Sequence, residues 1–244
     1  MVLKSVALFY NEYSINNIKG DKMKKKLLVL ASILFIVFSF GVLEYKGYIW
    51  HTQIFTKDYD IRGLDVSHYQ KVIEWDKVPK EDYKFIFIKA TEGEDMIDKR
   101  FKYNWITAKN NGFFVGAYHF FVTSSTGKEQ ANNFINTVPV EDDSLPPVID
   151  IEISKDKDKD IVRKNLTEMI DMFWEVYKKR PILYVTHDTY NTFVMGYFDE
   201  CDVWIRDIIK HPNLKEGREW KFWQYSNRGR VSGIDSYVDK NVFA

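Results

Sequence analysis

The sequence predicts an α/β protein: an irregular TIM-like (β/α) barrel with helices missing in its second half, preceded by an N-terminal membrane-spanning helix. Three observations carry this reading. Short β-branched and aromatic runs alternate with longer helical patterns across residues 58–244. That stretch holds 187 residues, whereas a full eight-fold barrel takes about 250 and seldom fewer than roughly 200, so part of the helical layer must be absent. Ahead of it lies an uncharged apolar run at 27–43.

The N-terminal elements come first. Residues 1–26 hold six Lys against two acids, while the whole chain balances 35 basic against 35 acidic residues. The bulk is therefore slightly acidic, and nucleic acid is not an expected partner. Lys22, Lys24, Lys25 and Lys26 directly precede the apolar run, and Glu44 and Lys46 end it. A helix of that length rises about 25 Å, close to the roughly 30 Å of a bilayer core. Tyr45, Tyr48 and Trp50 are residue types that favour the interface, and the Lys cluster is expected to stay cytoplasmic, with the bulk outside. Two readings compete: an uncleaved anchor, or a signal sequence cut near Ser39-Phe40-Gly41. The run exceeds the usual signal core of about 7–15 residues and lacks an Ala-x-Ala site, which favours the anchor. Met23, just before the Lys cluster, is an alternative start to Met1. Residues 44–57 read as a linker. The single cysteine, Cys201, allows no intrachain disulfide and reads as a buried small residue.

Within 58–244, strands are expected at 61–66, 85–89, 115–119, 148–153, 182–185, 203–205 and 222–225, and helices at 101–111, 127–137 and 160–179. The last helix spaces Ile161, Leu166, Met169, Ile170, Phe173 and Val176 mostly at helical intervals, and Gly112 and Pro181 mark helix ends. Strands joined through helices imply parallel pairing, and seven or eight of them close a barrel. The alternating charges of 155–160 read as a solvated loop.

The sharpest local feature is Leu145-Pro-Pro-Val-Ile-Asp150-Ile-Glu152-Ile. Side chains two apart on a strand share a face, so Asp150 and Glu152 point together while Ile149, Ile151 and Ile153 point the other way. Two confined carboxylates raise each other's proton affinity, the condition for a general acid, although a salt-bridged or exposed pair fits the same pattern. Polar residues recur at other strand ends: Asp65 after the first, Lys89 and Glu92 after the second, Tyr118, His119 and Phe120 at the third. In a barrel the C-terminal strand ends build the active site. Aromatic residues there (Tyr118, Phe120, Tyr184, Trp204, Trp223, Tyr225) offer faces for sugar rings, or serve as core. No HExxH, GxSxG or phosphate-loop pattern occurs, so neither a metal site nor a cofactor is expected.

Taken in order, these motifs resemble the glycoside hydrolase family 25 lysozymes, the Chalaropsis-type N-acetylmuramidases. The matching segments are Gly63-Leu-Asp65-Val-Ser67-His-Tyr-Gln70 with Trp75, Lys89-Ala-Thr-Glu92-Gly93, and Gly116-Ala-Tyr118-His119-Phe120. They continue with Gln130-Ala131 and Phe134, the Asp150-Ile-Glu152 strand, Trp204-Ile205, Trp223-Gln224-Tyr225-Ser226, and Gly233-Ile234 before Val238-Asp239-Lys-Asn241-Val-Phe243. The resemblance implies an irregular barrel that cuts peptidoglycan between N-acetylmuramic acid and N-acetylglucosamine. It implies Glu152 as proton donor, Asp150 and Asp65 completing the acidic site, and Asp239 in the acidic groove. Residues 58–244 would be the catalytic domain, outside the cytoplasm, with peptidoglycan as substrate and the membrane as a partner through the N-terminal helix. A wall-binding module without activity and a hydrolase of a related polymer such as chitin are the alternatives. The chain departs from the family pattern at Lys71, where Gly is usual, at Glu74, and at Arg206-Asp207, on the groove wall near the sugar.

Overall fold

In the computed structural model, the described residues are 2–244, with side chains described from residue 22 onward. Two compact units result, Met1–Lys46 and Gly47–Ala244. The first contains one long helix, α1 (Val2–Tyr45). Its Lys22–Tyr45 part has a mean hydropathy of 2.5 and is long and apolar enough to cross a membrane. The 24 residues of that part rise about 36 Å. Leu28, Phe35, Phe38 and their neighbours stand exposed along it.

The second unit is a closed barrel. Its strands are β1 (Arg62–Val66), β2 (Phe85–Glu92), β4 (Phe114–Phe120), β5 (Val148–Ile151), β6 (Ile182–Val185), β7 (Val203–Arg206), β8 (Phe222–Val231) and β9 (Ile234–Phe243), with a short β3 (Met96–Ile97) folded back on β2. Pairing runs β1, β9, β8, β7, β6, β5, β4, β2, and a β1–β2 pairing closes the ring. From β1 through β2 and β4 to β8 all neighbours are parallel. The eighth strand, β9, is antiparallel to both β8 and β1. It lies outside the strands expected from periodicity. Its inward positions include Asp239 and Asn241 where an apolar residue would mark a strand, and only Ile234, Val238 and Val242 mark its outer face.

Three helices pack outside the first half of the barrel: α2 (Phe101–Asn110), α3 (Gly127–Thr137) and α4 (Lys159–Tyr177). Each has a clear local cause. In α2, Phe101, Asn104, Trp105 and Ala108 form one buried stripe, and Gly112 at φ 81 turns the chain after it. Thr126 and Glu129 form a reciprocal capping box at the start of α3. Asp158 caps α4 by accepting from the backbone N–H of Asp160 and Ile161, both at 3.0 Å. Beyond β6 the chain makes only a helical turn, His187–Thr189, continued by the wider turn Tyr190–Val194, and between β7 and β8 the one-turn helix Lys215–Gly217. The second half thus lacks full helices, as the length requires.

The compact unit also takes in part of the stretch read as a linker. Trp50 Nε1 donates to the Ile208 carbonyl at 3.0 Å, and Thr52 Oγ1 donates to the Tyr225 carbonyl at 2.5 Å. Lys71 sits at φ 61, ψ −131, on the side of backbone space where glycine is the easy residue, at a cost of order 1 kcal/mol or more.

Two apolar layers hold the barrel. Outside, Leu64, Ile86, Ile88, Val115, Ile149, Ile151, Leu183 and Ile205 belong to one buried cluster with apolar residues of the three helices. Inside, Phe85, Phe87, Val148, Ile182, Tyr184, Trp204 and Phe222 fill the base. Two glycines make room for the rings. A Cβ at Gly63 would lie 2.3 Å from the Phe85 ring, and one at Gly116 would lie 2.5 Å from that of Phe87. Gly63→Ala should therefore lower stability by about 1–3 kcal/mol through overpacking. Phe85→Leu in the same chain should recover part of the loss. The urea midpoint at constant m-value measures both.

Candidate active site

Strand alternation carries the inner layer upward to the C-terminal strand ends. Above Gly63 on β1 comes Asp65, and above Phe87 on β2 comes Lys89. Tyr118 and Phe120 lead up β4, Asp150 ends this face of β5, and Glu152 stands just past it. Tyr184 on β6, Trp204 and Arg206 on β7, Gln224 on β8 and Asp239 on β9 complete the ring. Together with Ser67, Tyr69 and Asn227 they enclose an open cleft of about 290 Å³. The floor is aromatic: Trp204 lies with its ring centroid 4.7 Å from that of Phe87 and 4.8 Å from that of Tyr184.

Asp65 is held by amides that are themselves held by the floor. Asn241 Nδ2 donates to Asp65 Oδ2 at 2.7 Å, and Gln224 Nε2 donates to the same oxygen at 3.3 Å. The Trp204 indole N–H fixes Asn241 by donating to its Oδ1 at 2.9 Å, and the Tyr184 hydroxyl fixes Gln224 by donating to its Oε1 at 2.8 Å. Register places Asp239 directly opposite Asp65 on the antiparallel neighbour, so the two carboxyl groups share one end of the cleft.

Such crowding keeps protons in the cluster. Burial, offset in part by hydrogen bonds from Asn241 and Gln224, pushes Asp65 up to about 6. Burial, then the charges of Glu152 and Asp65, raise Asp150 well above the usual carboxylate range. Burial and Asp65 do the same for Asp239, against an opposing pull from Arg206. The buried Oδ1 of Asp150 accepts no hydrogen bond from the described residues. Glu152 is the more open acid: its side chain is 37% exposed, and Arg206 Nε lies 3.8 Å from its Oε1. Lys89 is taken up locally, with Nζ 2.6 Å from Glu92 Oε2 and 4.7 Å from the Phe120 ring centroid. Among the described residues no group of three or more His, Cys, Asp and Glu side chains is placed to hold a metal ion.

The cleft brings together Asp65, Asp150, Glu152, Asp239, Lys89, Tyr118, Phe120, Tyr184 and Trp204 from the expected set. Three expected substrate-binding residues stand elsewhere. His119 falls between two inward residues and so points outward. It is fully buried, with Nδ1 2.7 Å from Thr91 Oγ1 and Nε2 3.1 Å from Gln130 Oε1, and burial pulls it down to about 4. Trp223 is outward by the same parity and donates from Nε1 to the Asp207 carbonyl at 2.7 Å. Glu92 pairs with Lys89 beside the cleft rather than lining it. Sequence reasoning placed Arg206 on the groove wall, which the structure shows it lining, but missed Gln224, Asn241 and Tyr69 as site residues. The first two were within reach of the alternation argument, being even-spaced from Phe222 and Asp239. Tyr69 follows Asp65 on the loop after β1 and is 73% exposed, an open aromatic face on the cleft rim.

Known proteins share the sequence and fold of this chain. The family model for glycosyl hydrolases family 25 matches residues 64–234. The uncharacterized protein YegX of Escherichia coli K12 is 37% identical over 190 residues, covering 76% of this chain and 70% of that protein. Lysozyme M1 of Streptomyces globisporus is 33% identical over 198 residues, covering 75% and 67%. Among solved structures, a family 25 glycosyl hydrolase from Bacillus anthracis superposes with a TM-score of 0.74 at 42% identity, over 77% of this chain and 90% of that one. A bacterial lysozyme from Streptomyces coelicolor does so with a TM-score of 0.68 at 31% identity, over 75% and 91%.

The raised Asp65 carries a stability consequence. Its folded-state value of about 6 exceeds the ordinary 3.8, so the folded chain holds this proton more tightly than the unfolded chain does. The stability it contributes is full below about 3.8 and is lost as pH rises through about 6. Asp65→Asn, which still accepts from Asn241, removes that loss. The variant should be more stable than the parent at pH 7.5, by about 3 kcal/mol at most, and no more stable at pH 3.5. Calorimetric melting at the two pH values tests this, and a gain of equal size at both would exclude it.

Proposed function

The chain belongs to glycosyl hydrolases family 25, and from that premise we propose that it is a peptidoglycan-hydrolysing muramidase. It would cleave the β-1,4 bond between N-acetylmuramic acid and N-acetylglucosamine. The observation that carries the reading is the gathering of Asp65, Asp150, Glu152 and Asp239 around one cleft at the C-terminal mouth of the barrel. Relatives named as a lysozyme and as N,O-diacetylmuramidases support the substrate class.

Glu152 is the proton donor in this reading. It is the most open of the four acids and reaches a sugar lying in the cleft. As the bond to the leaving oxygen lengthens, Glu152 gives that oxygen its proton, and positive charge builds at the anomeric carbon. Asp150 lines the cleft on the same side and orients the sugar's 2-acetamido group there. Oriented in this way, the acetamido oxygen attacks the anomeric carbon and retains configuration. Water then opens the resulting ring and returns a proton to Glu152. Asp65, with its two amide donors, stabilises the charge at the sugar from the opposite wall. The competing inverting route has Asp65 or Asp239 activate water directly.

Residues 58–244 form the catalytic domain in this proposal. The apolar Lys22–Tyr45 helix supports an anchor that leaves this domain outside the cytoplasm. After fractionation the full-length chain should sediment with membranes. A shortened form free in the medium, beginning after Gly41, would replace the anchor with a cleaved signal.

Reducing ends released from purified peptidoglycan and from chitin, with mass analysis of the fragments, test the activity. New muramic acid ends from peptidoglycan are expected. Chitin-only cleavage, or binding without cleavage, would replace the reading with one of its alternatives. Glu152→Gln should lower the rate by about 10²–10⁴-fold while leaving the melting temperature near that of the parent.

A further inference from the structure

The geometry points to Arg206 as a specificity residue: it binds a carboxylate carried directly by a sugar of the scissile pair, namely the unamidated lactyl group of a muramic acid that has lost its peptide stem. This rests on the muramidase reading and sharpens its substrate class.

The argument begins with the charges in the cleft. Four carboxyl groups and two cations line it. Lys89 is engaged, 2.6 Å from Glu92 and over the Phe120 ring. Arg206 is not engaged in this way. Its ion pair with Glu152 is 3.8 Å long, beyond hydrogen-bond distance, and its side chain is 33% exposed toward the cleft. A guanidinium has five N–H donors in a planar fork that matches a carboxylate. At Arg206 these donors face the cleft, and with Lys89 held by Glu92 they are the cation there best placed to pair with an anionic sugar.

Position narrows the anion. Arg206 lies beside Glu152, which in the proposed reaction touches the bridging oxygen. Groups within reach of the guanidinium therefore belong to the two sugars flanking that oxygen. Stem-peptide carboxylates lie several bonds further out. The lactyl carboxyl is attached to the sugar itself, and it is an anion only when no stem is amide-linked to it. A stem-bearing strand presents a neutral amide at that place, which gains less from an arginine than a carboxylate does.

The test uses the full-length chain in detergent with two substrates: stem-bearing glycan strands, and the same strands stripped by an amidase that leaves the lactyl carboxyl free. The parent should favour stripped strands at least tenfold in kcat/KM. Arg206→Ala should bring that ratio close to one, chiefly through KM on stripped strands, and Arg206→Lys should restore part of it. A ratio unchanged in Arg206→Ala, or an equal loss on both substrates, overturns the inference, the second outcome meaning that Arg206 acts through Glu152. A parent that prefers stem-bearing strands overturns it too. If the parent cuts neither substrate, the muramidase reading fails on its own account. Calorimetric binding of stripped strands to Glu152→Gln and to Glu152→Gln/Arg206→Ala then decides the contact. Binding at least tenfold weaker without the arginine supports it, and equal binding overturns it.

Discussion

Four carboxyl groups crowded into the mouth of a barrel are the constraint on which the rest of this structure depends. A buried carboxylate is costly unless it accepts hydrogen bonds or keeps its proton. Here both solutions appear. Asp65 accepts from Asn241 and Gln224, while burial and mutual repulsion push Asp150 and Asp239 upward. The amides are fixed because Trp204 and Tyr184 hold their oxygens, and the Trp204 ring packs on Phe87 beneath it and on Tyr184 beside it. A line of support therefore runs from an apolar base, through two aromatic donors and two amides, to one acid.

Closing the ring in a short chain explains the unusual last strand. A parallel return from β8 would need a crossover of a dozen or more residues. The chain instead turns at Ser232-Gly233, with Gly233 at φ 84, and comes back as β9. That hairpin saves a helix, and it places Asp239 opposite Asp65 and Asn241 within reach of it. The missing last helix and the facing of Asp239 on Asp65 are two results of one topological choice. The base of the barrel shows the same economy, since Gly63 and Gly116 give up side chains so that Phe85 and Phe87 can meet Trp204 and Phe222.

Much of this could be read locally. The alternation of Asp150 and Glu152 against Ile149, Ile151 and Ile153 holds in the structure, with the isoleucines on the helical side. Applied as strictly elsewhere, the same rule turns His119 and Trp223 away from the cleft and turns Gln224 into it. Residue type outweighed parity in those choices, because a histidine or tryptophan near a site attracts more notice than a glutamine. Strand β9 was hidden for a related reason: periodicity looks for apolar residues inside, and a strand that lines an active site places polar ones there.

By itself, then, the sequence determined the apolar N-terminal helix, the seven parallel strands, the three capped or striped helices, and the pairing of Asp150 with Glu152 on one face. All of these follow from spacing and capping within a few residues, which a linear pattern records. Tertiary structure alone decided that Asp239 meets Asp65, that Asn241 and Gln224 clamp it, and that Arg206 stands beside Glu152. Proton affinity in the cleft belongs to that second group as well, because it depends on burial and on charges brought together from distant parts of the chain only when the barrel closes.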